Sequence, residues 1–284
     1  MQSVVVTGVS TGIGEAIARL LVARGFQVFG SVRKPQDGAR LAAALGSLFT
    51  PLVFDTTDRD AVFAAAAQVK AALNGAPLFG LVNNAGIAVA GLLLYMTPEE
   101  IRQQMDVNLQ GTLNATQAFA PLLGAVADFT GTPGKIVMIS SVAGTSATPF
   151  MGAYNISKFA LEGMSEALRR ELMLFGVDVV VIAPGAVKTP IWDKGLALND
   201  ARYTEGPFAA PLGKMRELVR SKAHIGLDPD VIATATFKAL TGKAPVRQVL
   251  TPEPLMHFLL NHLPKRMVDR MFAKMLSLKR VSKN

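Results

Sequence analysis

Short, unbroken apolar runs alternate along this chain with longer stretches whose apolar residues recur at helical spacing. The strand-like runs are Ser3-Val-Val-Val-Thr7, Val28-Phe29, Leu52-Val53-Phe54, Leu81-Val82, Ile136-Val137-Met138-Ile139, Val177 to Ile182 and Val246 to Leu250. They are apolar on consecutive positions, so they predict strands covered on both faces. Parallel strands need crossovers of about a dozen residues or more, and the helical stretches between the runs supply them. The pattern predicts an α/β protein with a seven-stranded parallel sheet and helices on both faces.

The first unit is the most explicit. Thr7 leads into Gly8-Val-Ser-Thr-Gly12-Ile-Gly14, and Ile17, Ala18, Leu20, Leu21 and Val22 follow at helical spacing. Strand, glycine-rich turn and helix in that order form a phosphate cradle. Glycines let the backbone approach a pyrophosphate, and the helix N-terminus offers free N–H groups and partial positive charge. The spacing is Gly-x-x-x-Gly-x-Gly rather than Gly-x-Gly-x-x-Gly, and a plain strand-to-helix turn is the competing reading.

Composition narrows the picture. With 284 residues and 50% hydrophobic content, the chain suits one large core, expected as a single domain over 1–254 with an extension over 255–284. The absence of cysteine excludes disulfides and thiolate chemistry. The first strand begins almost at Met1, leaving no room for a signal or transit peptide, and no apolar run is long enough to span a bilayer. A cytoplasmic protein is the expectation. His224, His257 and His262 show no ligand spacing with carboxylates, so no metal site is expected.

The candidate chemistry lies in Tyr154-Asn-Ile-Ser-Lys158, with Ser141 thirteen residues before the tyrosine. A tyrosine and a lysine four apart project from one helix face. A phenol ordinarily titrates near about 10, and a neighbouring ammonium favours the phenolate, pulling that value toward neutrality. Ser141 ends a predicted buried strand, at the edge where α/β folds place their ligands. A hydroxyl to hold a carbonyl oxygen, a tuned phenol and a cation make a proton-transfer site. Ser140 competes for the serine role, and the spacing to Tyr154 favours Ser141.

These motifs together resemble the short-chain dehydrogenase/reductase family. The match runs in chain order through Thr7 to Gly14, Asp55, Asn83-Asn-Ala-Gly86, Asn108, Ser141, Tyr154 and Lys158, then Pro184-Gly185 and Thr189, over roughly residues 2–250. The resemblance implies a doubly wound Rossmann fold with strand order 3-2-1-4-5-6-7. It also implies cofactor contacts from Gly8, Ser10, Thr11, Gly12, Ile13 and Gly14, and from Asn83, Ala85 and Gly86. Asp55 and Thr56 would meet the adenine, while Pro184, Gly185, Val187 and Thr189 would line the nicotinamide end. Tyr154 and Lys158 would serve both catalysis and the cofactor. By the same resemblance, Asn108 holds a water that links Lys158 to solvent. Relatives that prefer NAD carry an acid where Val32 stands, and Arg33 follows here, so NADP(H) is expected, with NAD(H) the weaker choice. An ordinary surface role for Arg33 and Lys34 is the alternative.

For the substrate, the resemblance points to three variable segments: Leu92-Leu-Leu-Tyr-Met96, Ala147-Thr-Pro-Phe-Met151, and Ile191-Trp192 with Leu196 and Leu198. Their apolar character suits a hydrophobic ketone, aldehyde or secondary alcohol, unless they pack the core or a subunit contact instead. Val28-Phe-Gly-Ser-Val-Arg33 is similar to the steroid and retinol dehydrogenase branch. A homodimer or homotetramer is implied through the helices bearing Asn108 and Tyr154. Phe159, Leu161, Met164, Leu168 and Leu172 are compatible with that contact or with a buried face.

The formal net charge is +8, and the extension concentrates it. Lys265, Arg266, Arg270, Lys274, Lys279, Arg280 and Lys283 face the single acid Asp269, opposite an apolar stripe of Met267, Met271, Met275 and Leu278 with Val268 and Phe272. Peripheral contact with an anionic membrane, a cover over the substrate cleft and packing on a subunit all fit this stripe. Charge alone points to nucleic acid and no motif joins it, so no nucleic-acid partner is expected. Two function classes follow: a working NADP(H)-dependent carbonyl reductase or alcohol dehydrogenase, and a catalytically idle NADP(H)-binding scaffold with a regulatory or membrane- or partner-binding role.

Overall fold

The computed structural model describes residues 1–190 and 201–280. In chain order the elements are β1 (Ser3–Val6), α1 (Gly12–Ala23), β2 (Gln27–Val32), α2 (Pro35–Leu45), β3 (Phe49–Val53) and α3 (Arg59–Leu73). Next come β4 (Gly80–Asn83), α4 (Pro98–Met105), α5 (Gly111–Phe119), β5 (Lys135–Ile139), α6 (Gly152–Glu171) and β6 (Asp178–Pro184). After a helical turn at Ala201–Thr204 the chain forms α7 (Ala209–Ile225), α8 (Pro229–Thr241), β7 (Arg247–Leu250), α9 (Pro254–His262) and α10 (Lys265–Leu276). The strands make one seven-stranded sheet in the order β3-β2-β1-β4-β5-β6-β7, and every neighbouring pair is parallel. This is the doubly wound architecture expected from the motifs.

The strands are apolar at consecutive positions because each residue parity serves a different core. Val4, Val6, Val28, Val82 and Val137 face α1 and α8, where Ile17, Leu21, Ile232 and Leu240 cover them. Val5, Phe29, Leu81, Ile136 and Met138 face the opposite layer, against Val62, Phe119 and Leu161. Fully burying one such side chain stabilises the fold by about 1.5–3 kcal/mol. A third cluster joins Phe150, Met151, Tyr154, Tyr203, Leu212 and Leu276 on the connections that leave the carboxyl ends of the strands.

Three sequence expectations shift here. Leu161 and Leu172 are core residues, with Met164 and Leu168 packed against them, so among the helix residues proposed for a subunit contact only Phe159 is exposed. Asn108 falls in a widened π-type turn at Asp106–Gln110, between α4 and α5 rather than inside one regular helix. The C-terminal stripe turns inward only in part: Val268 is buried, as is the neighbouring Leu276, and Phe272 and Leu278 pack on the third cluster, while Met267 and Met275 are exposed. Asp58 caps α3, accepting from the Ala61 N–H at 3.0 Å.

Candidate active site

The glycine-rich turn is held from below by hydrogen bonds. The Thr7 hydroxyl oxygen accepts from the N–H groups of Asn84 (2.9 Å) and Ala85 (3.0 Å). The Asn84 side-chain amide donates to the carbonyls of Thr7 and Gly8, both at 2.9 Å. Gly8 N–H donates to the Ser31 hydroxyl at 2.9 Å, and Arg40 donates to the Ser10 carbonyl at 2.7 Å while pairing with Glu15. Gly8 and Gly12 take positive φ of 70° and 64°, where a side chain would be strained. At Gly14 a Cβ would lie 2.2 Å from the Gly8 carbonyl oxygen. Thr11 precedes α1 in an extended conformation with no side-chain cap, so the first N–H groups of the helix are not taken by that side chain. A bare helix start behind glycines that tolerate no Cβ fits a bound pyrophosphate.

Above this turn opens a cleft of about 510 Å³. Its wall takes Gly8, Ser10, Thr11, Gly12, Ile13 and Gly14 at the turn, then Arg33 after β2 and Asp55 and Thr56 after β3. Ala85 and Gly86 follow β4, and Pro184, Gly185, Val187 and Thr189 follow β6. Asp55 accepts from both the N–H (3.0 Å) and the hydroxyl (2.9 Å) of Thr57, which fixes its turn. Asn83 departs from the expectation: it is a strand residue behind the cleft, and its amide donates to the Thr116 hydroxyl at 3.0 Å. The next residue, Asn84, takes the place on the wall.

Ser141, Tyr154 and Lys158 converge at one end of this cleft. Ser141 follows β5, its hydroxyl oxygen accepting from Ala143 N–H at 3.1 Å and donating to the Pro184 carbonyl at 3.3 Å. On α6, the Lys158 nitrogen lies 5.8 Å from the Tyr154 ring centre and donates to the Ile139 carbonyl at 2.9 Å. Asn108 is not on the wall. Its side chain bonds both backbone groups of Ile87 and donates to the Ser157 hydroxyl at 3.0 Å. Ser157 in turn donates to the Tyr154 carbonyl at 2.8 Å, so Asn108 braces the turn of α6 that carries the phenol. Ser140 lines this cleft, and its buried hydroxyl has no hydrogen-bond partner among the described residues.

Burial governs the two titrating groups. It lowers Lys158 to about 8, with the Glu162 carboxylate pulling the other way. It raises Tyr154 above the ordinary phenol value, partly offset by the Ser141 hydroxyl. In the free protein the direction is opposite to the expectation that Lys158 holds the phenol low: burial disfavours the phenolate, and the opposing influence comes from the Ser141 hydroxyl. A phenol so raised is protonated at neutral pH, as a proton donor must be.

Ser141, Tyr154 and Gly185 also belong to a second chamber, of about 660 Å³. Its walls include Val142, Met151, Met215 and Leu218, and from the C-terminal helices Met256, Leu260, Met271 and Phe272. Of the segments expected here, Thr148 and Met151 take part and Leu92 to Met96 do not. Met96 is buried, while Leu93 and Leu94 are exposed. Ile191, Trp192, Leu196 and Leu198 lie outside the described residues. The helices of the extension form part of this chamber's wall. No cluster of three or more His, Asp or Glu side chains suited to a metal occurs among the described residues.

Ser31, Arg40, Gln104 and Ser157 support the site without having been picked out in the sequence. Asn84 sat inside a recognised motif. Gln104, which accepts from Val89 N–H at 2.7 Å, and Arg40 carry no local signal, since their partners are distant in the chain.

A family model for short chain dehydrogenase matches residues 2–197. An NADPH-dependent 3-dehydrocapnine reductase from Ornithobacterium rhinotracheale is 40% identical over 276 residues, covering 96% of this chain and 97% of that protein. Retinol dehydrogenase 5 of Homo sapiens is 31% identical over 285 residues, covering 94% and 86%. The solved structure of a short chain dehydrogenase from Burkholderia cenocepacia J2315 in complex with NADP aligns with a TM-score of 0.72 at 25% identity, covering 95% of this chain and 99% of that one.

Proposed function

The chain belongs to the short-chain dehydrogenase family of oxidoreductases, and from that premise we propose that it interconverts a hydrophobic ketone or aldehyde and its alcohol with NADP(H). The observation that carries this reading is that one tyrosine and one serine form the boundary between a polar, glycine-floored cleft and a largely apolar chamber. A cofactor in the first and a carbonyl compound in the second meet at Tyr154 and Ser141.

The choice of NADP(H) is supported by Arg33 on the cleft wall, and by two proteins similar to this chain, one named as NADPH-dependent and one bound to NADP. A guanidinium matches a phosphate with paired, charge-assisted hydrogen bonds. Ser10 and Arg33 would hold the adenosine phosphate, the N-terminus of α1 the pyrophosphate, Asp55 and Thr56 the adenine, and Gly185, Val187 and Thr189 the nicotinamide end. When bound, the reduced nicotinamide supplies hydride to the carbonyl carbon.

The remaining work falls to the chain. The Ser141 hydroxyl holds the carbonyl oxygen, Tyr154 gives it a proton, and Lys158, still largely protonated at pH 7 with a value of about 8, stabilises the phenolate left behind. In reverse, the same phenolate takes the alcohol proton. Asn108 and Ser157 keep the turn of α6 in register.

A homologous series of methyl ketones tests the chamber. Each added CH₂ that enters an apolar wall is worth up to about 0.8 kcal/mol, so kcat/KM with NADPH rises several-fold for every two carbons until the chamber is full. A flat or falling series would contradict the apolar substrate.

A further inference from the structure

Both C-terminal helices have an inner side on the chamber and an outer side with apolar groups in water. No residue of α9 is buried, although its sequence is PLMHFLLNH. Leu255 is 70% exposed and Phe258 55%. On α10, Met267 is 47% exposed. Met256 and Met275 are partly in water and partly chamber wall, so the apolar lining continues onto this outer surface. The inward turn of Val268, Phe272 and Leu276 means that the surface on offer is α9 with the edge of α10, not the stripe apparent in the sequence.

Lys265, Arg266, Arg270, Lys274, Lys279 and Arg280 are all exposed on the same segment, Lys274 also reaching the chamber wall, against the single acid Asp269, which leaves residues 265–280 at +5 (six minus one). Leu255 and Phe258 lie three apart on α9 and so share one exposed face, and a contiguous exposed apolar face marks an interaction surface. A second copy of this face would bring another +5 against the first and be repelled. An anionic surface with an apolar interior satisfies both features.

We propose that α9 and α10 dock on an anionic lipid bilayer, with Leu255 and Phe258 entering the acyl boundary and the basic side chains on the headgroups. The docking stands by itself; its consequence, that a lipophilic substrate passes from the bilayer between Met256 and Met275 into the chamber, rests on the reductase reading above.

The test uses the full chain in flotation with vesicles of phosphatidylglycerol mixed into phosphatidylcholine, and with phosphatidylcholine alone. The expected result is binding to the anionic vesicles only, falling about tenfold or more between about 0.1 M and about 1 M salt. Leu255→Glu with Phe258→Glu cuts that binding about tenfold or more, as does Lys265→Glu with Arg266→Glu and Arg270→Glu. Because Leu255 and Phe258 lie off the chamber wall, turnover of a short water-soluble ketone stays unchanged in the first variant, which also shows that it folds. Equal binding to both vesicle types, no binding, or binding indifferent to these variants overturns the proposal. So does a dimer in sedimentation that the first variant splits while vesicles are ignored, because the face is then a subunit contact. Vesicle binding in a protein without turnover leaves the docking standing and removes the substrate route, so the two claims fail separately.

Discussion

Lys158 is a charge placed where the fold disfavours it, and replacing it with methionine measures by how much. Methionine keeps the bulk of the side chain and removes the ammonium. The lysine titrates at about 8 against an ordinary 10.5. At about 1.4 kcal/mol per pH unit, keeping it protonated in this site at neutral pH costs on the order of 3 kcal/mol. Lys158→Met also leaves the Ile139 carbonyl without its donor, a loss of about 1–2 kcal/mol. The net expectation is an apoprotein stabilised by roughly 1–2 kcal/mol at pH 7, a Tm higher by about 2–6 °C, and lost turnover. The folded-state value lies below the unfolded one, so between about 8 and 10.5 the unfolded chain binds more protons and the wild-type protein gains stability as pH rises. The advantage of the variant is therefore full below about pH 8 and shrinks above it. Thermal or urea unfolding of both proteins at several pH values between about 7 and 10 reads this directly. A variant less stable than wild type at pH 7, with a gap that does not change with pH, would refute the reasoning.

Two further substitutions probe the cofactor cleft. Arg33→Ala is expected to raise the KM for NADPH about ten- to a hundredfold and leave that for NADH nearly unchanged, since one charge-assisted pair to the extra phosphate is lost; equal effects on both cofactors would remove Arg33 from phosphate recognition. Gly14→Ala would set a methyl 2.2 Å from the Gly8 carbonyl oxygen and 2.4 Å from the Asn84 amide nitrogen, so NADPH binding read by nicotinamide fluorescence should weaken about tenfold or more. Gly163→Ala on α6, where nothing lies within 4 Å of the new methyl, is the control and should bind normally with stability unchanged or up to about 1 kcal/mol higher.

The strands were legible because a sheet buried on both faces leaves consecutive apolar positions, as Val4, Val5 and Val6 show by serving opposite cores. The residues on the cleft wall were legible where they sit in compact motifs, such as Gly8 to Gly14 and Tyr154 to Lys158, whose partners lie one turn or one strand away. Asn83 and Asn84 could not be told apart in the sequence, because which of two adjacent amides faces the cleft is set by strand parity at the end of β4. Arg40 and Gln104 act across the fold, so no spacing betrays them. The direction of the Tyr154 shift was misjudged for a related reason: a neighbouring cation is visible in the sequence, and the depth of burial is not. The same holds for the C-terminal segment, where periodicity marks an apolar stripe without saying whether it faces a membrane or its own chamber.

The most direct test of the central claim is NADPH oxidation in the presence of a panel of hydrophobic aldehydes and ketones, comparing wild type with Tyr154→Phe and with NADH run alongside. The account predicts turnover that prefers NADPH and falls about a hundredfold or more in the variant, because the variant loses the proton donor. Undiminished turnover in Tyr154→Phe, or cofactor binding with no turnover of any panel member, would contradict it.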